Sequence, residues 1–137
     1  MTEEIAPAVV YIFMDQDRNV YLEQRPANSS YPEEWIFPGG KVEVTDIDRI
    51  TSLAREIQEE TNVKPLTFHP LELPEMIYSP RGRKIYPFII TKWEGQLPPY
   101  ILDNGHPTKW FPIEEAINSP VKSVRKLAII INQSLKI

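Results

Sequence analysis

The sequence predicts a mixed α/β fold in which a layered sheet lies between helices. Three observations carry that reading. Two β-branched and aromatic runs stand close together near the start, Ala8 to Phe13 and Val20 to Gln24. The apolar spacing then changes, with Ile50, Leu53, Ala54 and Ile57 at i, i+3, i+4 and i+7, the stripe of an amphipathic helix. A second such stripe, Val121, Val124, Leu127, Ala128 and Ile131, closes the chain. Strands flanking one helix and followed by another are the elements of a layered α/β domain.

Taken in order, the first two runs enclose Asp15-Gln16-Asp17-Arg18-Asn19 and read as a hairpin with a polar turn. Trp35-Ile36-Phe37 is a short apolar run ended by a Pro38-Gly39-Gly40 turn. Thr45 with Asp48 three residues on forms a variant capping box for the first helix, Asp standing where Glu or Gln is usual. That helix should end near Asn62, since Asn follows Gly in preference for the left-handed position past a helix C-terminus. Glu75 to Tyr78 and Ile85 to Trp93 read as strands around a basic turn, Arg81-Gly82-Arg83-Lys84. Lys109 to Ile113 is a further short strand, and Ser119-Pro120 supplies an N-cap and a first-position proline for the last helix.

The 137 residues match the size of one domain, so a single domain over 1–137 is expected. With no cysteine, the chain can hold neither disulfides, a cysteine nucleophile nor a thiolate zinc site. A net charge of −4 argues against partners such as nucleic-acid polymers or anionic membranes. No apolar run approaches the ~20 residues that span a bilayer. Met1-Thr2-Glu3-Glu4 lacks the basic start of a secretory signal, which makes the cytoplasm the expected location.

The stretch that carries chemistry is Gly39-Gly40-Lys41-Val42-Glu43 followed by Arg55-Glu56-Ile57-Gln58-Glu59-Glu60. On a helix, Glu56, Glu59 and Glu60 fall at i, i+3 and i+4, so their carboxylates share a face rotated off the Ile50–Leu53–Ile57 stripe. Crowded carboxylates raise one another's pKa, and a divalent cation relieves the repulsion. An all-oxygen donor set favours Mg²⁺ or Mn²⁺. The three acids also stand near the helix C-terminus, where the dipole disfavours negative charge by ~0.3–1 kcal/mol each. Arg55, four residues before Glu59, can hold that carboxylate in place.

This segment resembles the box of the Nudix hydrolases, Gx5Ex7REUxEExGU with U apolar, in register from Arg55 through Glu56, Ile57, Glu59 and Glu60 to Val63. Trp35 to Glu43 upstream, and Trp93-Glu94-Gly95 and Gly105-His106-Pro107 before Trp110 downstream, are similar to the MutT-like branch. There are two departures. Between Gly40 and Arg55 lies one residue more than the pattern holds, with Asp46 at the spacing of the box's first Glu and Asp48 nearby. The final Gly is Asn62.

The resemblance implies a Nudix fold, a mixed sheet between helices, and Mg²⁺- or Mn²⁺-dependent hydrolysis of a nucleoside diphosphate linked to a further group. It implies the Gly39 carbonyl, Glu56, Glu59 and Glu60 as metal ligands, and Glu56 or Glu59, supported by Arg55, as the catalytic carboxylate. It places Arg25 against the base and Ser30, Trp35, Ile36 and Phe37 in the same pocket, with Asp103 and Asn104 contributing from a later loop. The favoured substrate is a (deoxy)nucleoside triphosphate, including an oxidised purine such as 8-oxo-dGTP, cleaved to monophosphate and pyrophosphate. Tyr78 stands at a spacing past Asn62 associated with dinucleoside polyphosphate hydrolases, so those compounds and nucleotide sugars such as ADP-ribose are the alternative. The shifted box keeps open a non-catalytic nucleotide-binding module. Many small family members pair through their sheets, so a homodimer is compatible with the resemblance.

Overall fold

The computed structural model describes residues 5–29 and 31–135. The first apolar run becomes β1 (Ala8–Phe13), buried along its whole length. Its even and odd residues serve different cores: Ala8, Val10 and Ile12 join the cluster of Leu127 and Ile131, while Val9, Tyr11 and Phe13 join that of Leu53 and Ile57. The two-residue period of a strand is thus used on both faces.

The chain continues through β2 (Asn19–Gln24), β3 (Trp35–Ile36), β4 (Gly39–Lys41), α1 (Arg49–Thr61), β5 (Lys64–Pro70), β6 (Ile85–Glu94), β7 (Thr108–Pro112), α2 (Ile113–Ile117) and α3 (Lys122–Ser134). Two sheets form, one in the order β4-β1-β6-β5 and the other β3-β2-β7. Among the described strands only β1 and β6 run parallel, so the sheet is mixed as expected.

Several sequence expectations change. The Asp15–Asn19 turn closes, with Asn19 O accepting from Asp15 N–H, but β1 and β2 meet at a lone Met14–Val20 bridge and then part into different sheets. The Gly39-Gly40 pair is not a turn; it is strand, antiparallel to β1 with Val9 opposite Gly40 and Val10 opposite Gly39. Glu75 to Tyr78 forms no strand, only a bridge from Tyr78 to Lys84. The strand β5 escapes the sequence pattern because Pro65 and Pro70 interrupt it; it lies on a sheet edge and carries a register shift, where proline is tolerated. Ile113 opens α2 and does not end β7. Helix α3 starts at Lys122 after an uncapped Val121, leaving Ser119 to accept the Val121 N–H and Pro120 outside the helix.

Helix α1 departs most instructively. Its cap is Asp48, whose side chain accepts from Thr51 N–H, and not Thr45. Ile50 is 54% exposed and Ala54 is also exposed, whereas Glu56 and Glu60 are buried beside Leu53 and Ile57. The acidic face was expected off the apolar stripe; instead two of its carboxylates share the inward face. At the C-terminus Asn62 adopts the left-handed conformation at φ 57°, its N–H returning to Gln58 and Ile57. Asn62→Gly should therefore leave the unfolding free energy level or slightly higher. Asn62→Val should lower it by roughly 1–2 kcal/mol, as denaturant titration would measure.

Candidate active site

The site is built where α1 crosses β4. Burial of the Glu56 side chain, 8% exposed, is possible because Gly40 has none: a Cβ on Gly40 would overlap the Glu56 carboxylate. Gly39 is constrained from the other side, where a Cβ would run into the Val9 carbonyl of β1. Both glycines are required by close approach, not by unusual backbone angles.

Arg55 is the hub of the arrangement. Its Nε and Nη2 donate to the two oxygens of Asp46 at 3.1 and 2.9 Å, a two-pronged carboxylate contact of the stronger kind. Its Nη1 reaches Glu56 Oε1 at 2.9 Å and Glu59 Oε2 at 3.5 Å, and Nη2 also donates to the Lys41 carbonyl. Asp46 further accepts from Ser52 Oγ and from Glu43 N–H. These bonds hold the Asp46 carboxyl far below the usual carboxylate range, Arg55 contributing most. The residue standing at the spacing of the box's first Glu thus ties the preceding loop to α1.

Glu60 is 4% exposed and accepts from the Tyr11 hydroxyl at 2.8 Å. Burial first, then the charge of Glu23, push its pKa up to about 9. Burial also raises Glu56, although Arg55 opposes it; Glu59 and Asp103 add repulsion. Glu59 itself faces solvent. Among the described residues these acids do not already form a closed metal cage, since Arg55 and Tyr11 hold them. Their chemistry nevertheless fits a hard divalent cation: all-oxygen donors, two of them buried and raised by desolvation and like charge.

A cavity of about 410 Å³ lies against β1 and β4, and no residue of α1 is in its lining. Of the residues expected at the substrate, Arg25, Ile36, Phe37 and Asn104 line it, as do Gly39 and Gly40. Gly40 thereby joins the cavity wall to the Glu56 carboxylate. Trp35 is not in that lining; it packs edge-on against Phe111 at 5.1 Å. Asp103 is exposed on the loop after Ile101, its charge felt by Glu56 and Glu60, and that loop is pinned by Leu102 N–H to the Glu60 carbonyl. Asn104 Oδ1 accepts from His106 N–H, so it shapes the turn as well as the wall. Ser30 lies outside the described residues. Tyr78 does not line the cavity, and its hydroxyl sits 3.4 Å from the Met76 sulfur.

Sequence reasoning missed Glu23 and His106, which line the same cavity. Glu23 is 7% exposed, and burial pushes its pKa up to about 7 against the pull of Arg25 and Arg81. One signal was available: in a strand, Glu23 shares a face with Tyr21, and an acid beside an aromatic on an inward face is unusual. Arg81 and Arg83, which read as a basic hairpin tip, also border the cavity.

The NUDIX domain family model matches residues 4–130. The 8-oxo-dGTP diphosphatase of Escherichia coli K12 is 26% identical over 104 residues, spanning 76% of this chain and 78% of that protein. The enzyme of the same description from Proteus vulgaris is 30% identical over 86 residues, 63% of this chain and 76% of that one. Among solved structures, a MutT from work on Aliivibrio salmonicida and Vibrio cholerae superposes with a TM-score of 0.71 at 20% identity, covering 95% of this chain and 99% of that one. The NUDIX domain of Shewanella oneidensis NrtR, solved with ADP ribose, gives 0.76 at 20% identity over 98% and 91%. With the acidic helix seated on its glycine strand and the family model spanning nearly the whole sequence, the chain belongs to the NUDIX family. Within that family it is a MutT-like hydrolase.

The buried Glu60 generates a pH test on metal-free protein. Its folded pKa, about 9, lies above the unfolded value, so its contribution is fully present below pH ~4.3 and is lost as pH rises toward 9. In EDTA, Glu60→Gln should be more stable than wild type at pH 8 by roughly 1–3 kcal/mol, and the gap should close toward pH 5. Equal stability of the two proteins at pH 8 would show that Glu60 carries no such penalty.

Proposed function

We propose that the chain is a Mg²⁺- or Mn²⁺-dependent pyrophosphohydrolase of (deoxy)nucleoside triphosphates, purine forms foremost, releasing monophosphate and pyrophosphate. The observation that carries this is the shared wall: Gly40 borders a nucleotide-sized cavity on one side and the Glu56 carboxylate on the other. The phosphates of a nucleotide in that cavity would pass beside the acidic helix. The similarity to 8-oxo-dGTP diphosphatases supports a purine triphosphate, including an oxidised one.

Glu56, Glu59 and Glu60, with the Gly39 carbonyl, would hold the metal. Bound there, a divalent ion supplies neutralisation of the phosphate oxygens in an in-line displacement by water. The protein's residues do the rest by positioning. Arg55 fixes the angle of Glu56 and, through Asp46, the loop that leads into the helix. Glu56 or Glu59 orients the attacking water and takes its proton. Arg25 would contact the base, and Arg81 and Lys41 on the same cavity lining bring positive charge to the polyphosphate. Ile36 and Phe37 give the base an apolar face. A small-molecule nucleotide is the partner in this reading, the cytoplasm its setting, and one domain over 1–137 its extent.

The test is turnover of a panel of nucleoside triphosphates, 8-oxo-dGTP, diadenosine polyphosphates and ADP-ribose with Mg²⁺ or Mn²⁺, reading pyrophosphate and phosphate separately. Pyrophosphate release from a triphosphate, abolished by EDTA, is the expected result. Turnover confined to dinucleotides or ADP-ribose would overturn the substrate. Glu59→Gln should lower kcat by at least about a hundredfold with the fold intact by circular dichroism. Unchanged kcat in that variant would remove Glu59 from the site.

A further inference from the structure

Two residues of the cavity lining each carry a buried polar atom that lacks a partner among the described residues: Glu23 Oε2 and His106 Nδ1. They are neighbours, with His106 Nδ1 3.8 Å from Glu23 Oε1, too far for a hydrogen bond. Neither group is loosely held. Glu23 lies in the central strand of its sheet, in register with Ile36 on one side and Thr108 on the other. The His106 backbone is fixed by Asn104 Oδ1 at its N–H and by Ile101 N–H at its carbonyl. A buried carboxylate fixed in a central strand with an idle oxygen is costly unless something completes it.

The chemistry of the missing partner follows from what the wall presents. An ionised carboxylate only accepts hydrogen bonds. Burial pushes Glu23 up to about 7, Arg25 and Arg81 pull back toward the charged form, and a donor edge in the cavity favours that form further. Burial, then the same two arginines, favour the neutral imidazole of His106, in which one ring nitrogen is an acceptor. Ile36 and Phe37 line the same space and suit a flat heteroaromatic ring. The ligand edge that fits is planar and offers two adjacent donors. Among nucleobases, guanine has that edge, a ring N–H beside an exocyclic amine. Adenine and cytosine set an amine beside a ring-nitrogen lone pair, which a carboxylate repels.

The geometry points to Glu23 as the specificity-determining residue of the cavity, accepting the ring N–H and amine of a guanine-type base, with His106 flanking that edge. This rests on the nucleotide reading of the cavity and adds to it the base and the residue that selects it. Oxidation at the far side of the purine leaves this edge unchanged. Discrimination between dGTP and 8-oxo-dGTP therefore lies outside Glu23's reach.

The experiment compares kcat/KM for dGTP, dITP and dATP with Mg²⁺, in wild type and in Glu23→Gln. Wild type should prefer dGTP to dATP by roughly ten- to a hundredfold, the range of one bidentate base contact. It should also prefer dGTP to dITP by about tenfold or more, since the latter lacks only the amine and so one hydrogen bond. Glutamine presents one donor and one acceptor, the pattern that suits adenine. Glu23→Gln should therefore shrink or invert the dGTP-to-dATP ratio while leaving the dGTP-to-8-oxo-dGTP ratio in place. A residue with a structural role alone would lower all substrates together, and that outcome overturns the assignment. So does a wild type indifferent to the 2-amine, a comparison that stands even where the variant does not fold. A wild type that turns over no nucleotide overturns the nucleotide reading itself and this inference with it.

Discussion

Everything at the site depends on one close approach, the Glu56 carboxylate resting on the bare backbone of Gly40. It seats α1 against β4 and turns an acidic helix face inward. The approach needs a strand without a side chain, a helix whose angle is fixed, and a cation to offset the charge. Arg55 provides the last two in part, spanning Asp46 on the entry loop, Glu56 beneath it and the Lys41 carbonyl. One guanidinium shared among three carboxylates does not reach Glu60, whose side-chain partner among the described residues is a neutral hydroxyl, that of Tyr11. The inward face of α1 therefore remains short of positive charge. That deficit, not the count of acids, is what the proposed metal site rests on.

The division of the strands into two sheets gives the acidic helix something to act on. β1 is filled by core on both faces, yet Ala8, Val9 and Val10 at its start also line the cavity. The cavity spans the two sheets, with β2 from one and β4 from the other in its wall. Glu23 and Arg25 project there from the end of β2, and Gly39 and Gly40 border it from β4. The polar groups that would meet a base and the glycines that back the acidic helix thus face one volume. Burial of Glu23 close enough to raise the pKa of Glu60 shows how near the two halves of the site are.

Much of this was legible in the sequence, and the failures have physical causes. The strands β1, β2 and β6 and the stripe of α3 follow period rules because their burial is simple. Asn62 was readable as a helix end because a left-handed residue has few occupants. The acidic face of α1 was misplaced because hydropathy assigns carboxylates to solvent, and here Glu56 and Glu60 are buried ahead of Ile50. The same rule hid Glu23. The early hairpin was misjudged since local pairing signals cannot tell that two strands will part into separate sheets. The role of Asp46 was open until its contacts with Arg55, Ser52 and Glu43 were visible, all of which cross a loop.

The central claim is that the inward carboxylates of α1 are held out of their ordinary ionisation by burial and mutual charge, and that a divalent cation releases them. Carboxyl-carbon NMR titration of ¹³C-labelled glutamates, without metal and then with Mg²⁺, reads this directly. The account predicts a glutamate assignable to Glu60 by its loss in Glu60→Gln, titrating far above the usual range without metal and shifting down when Mg²⁺ is added. A full set of glutamates titrating near pH 4–5, unmoved by Mg²⁺, would contradict it.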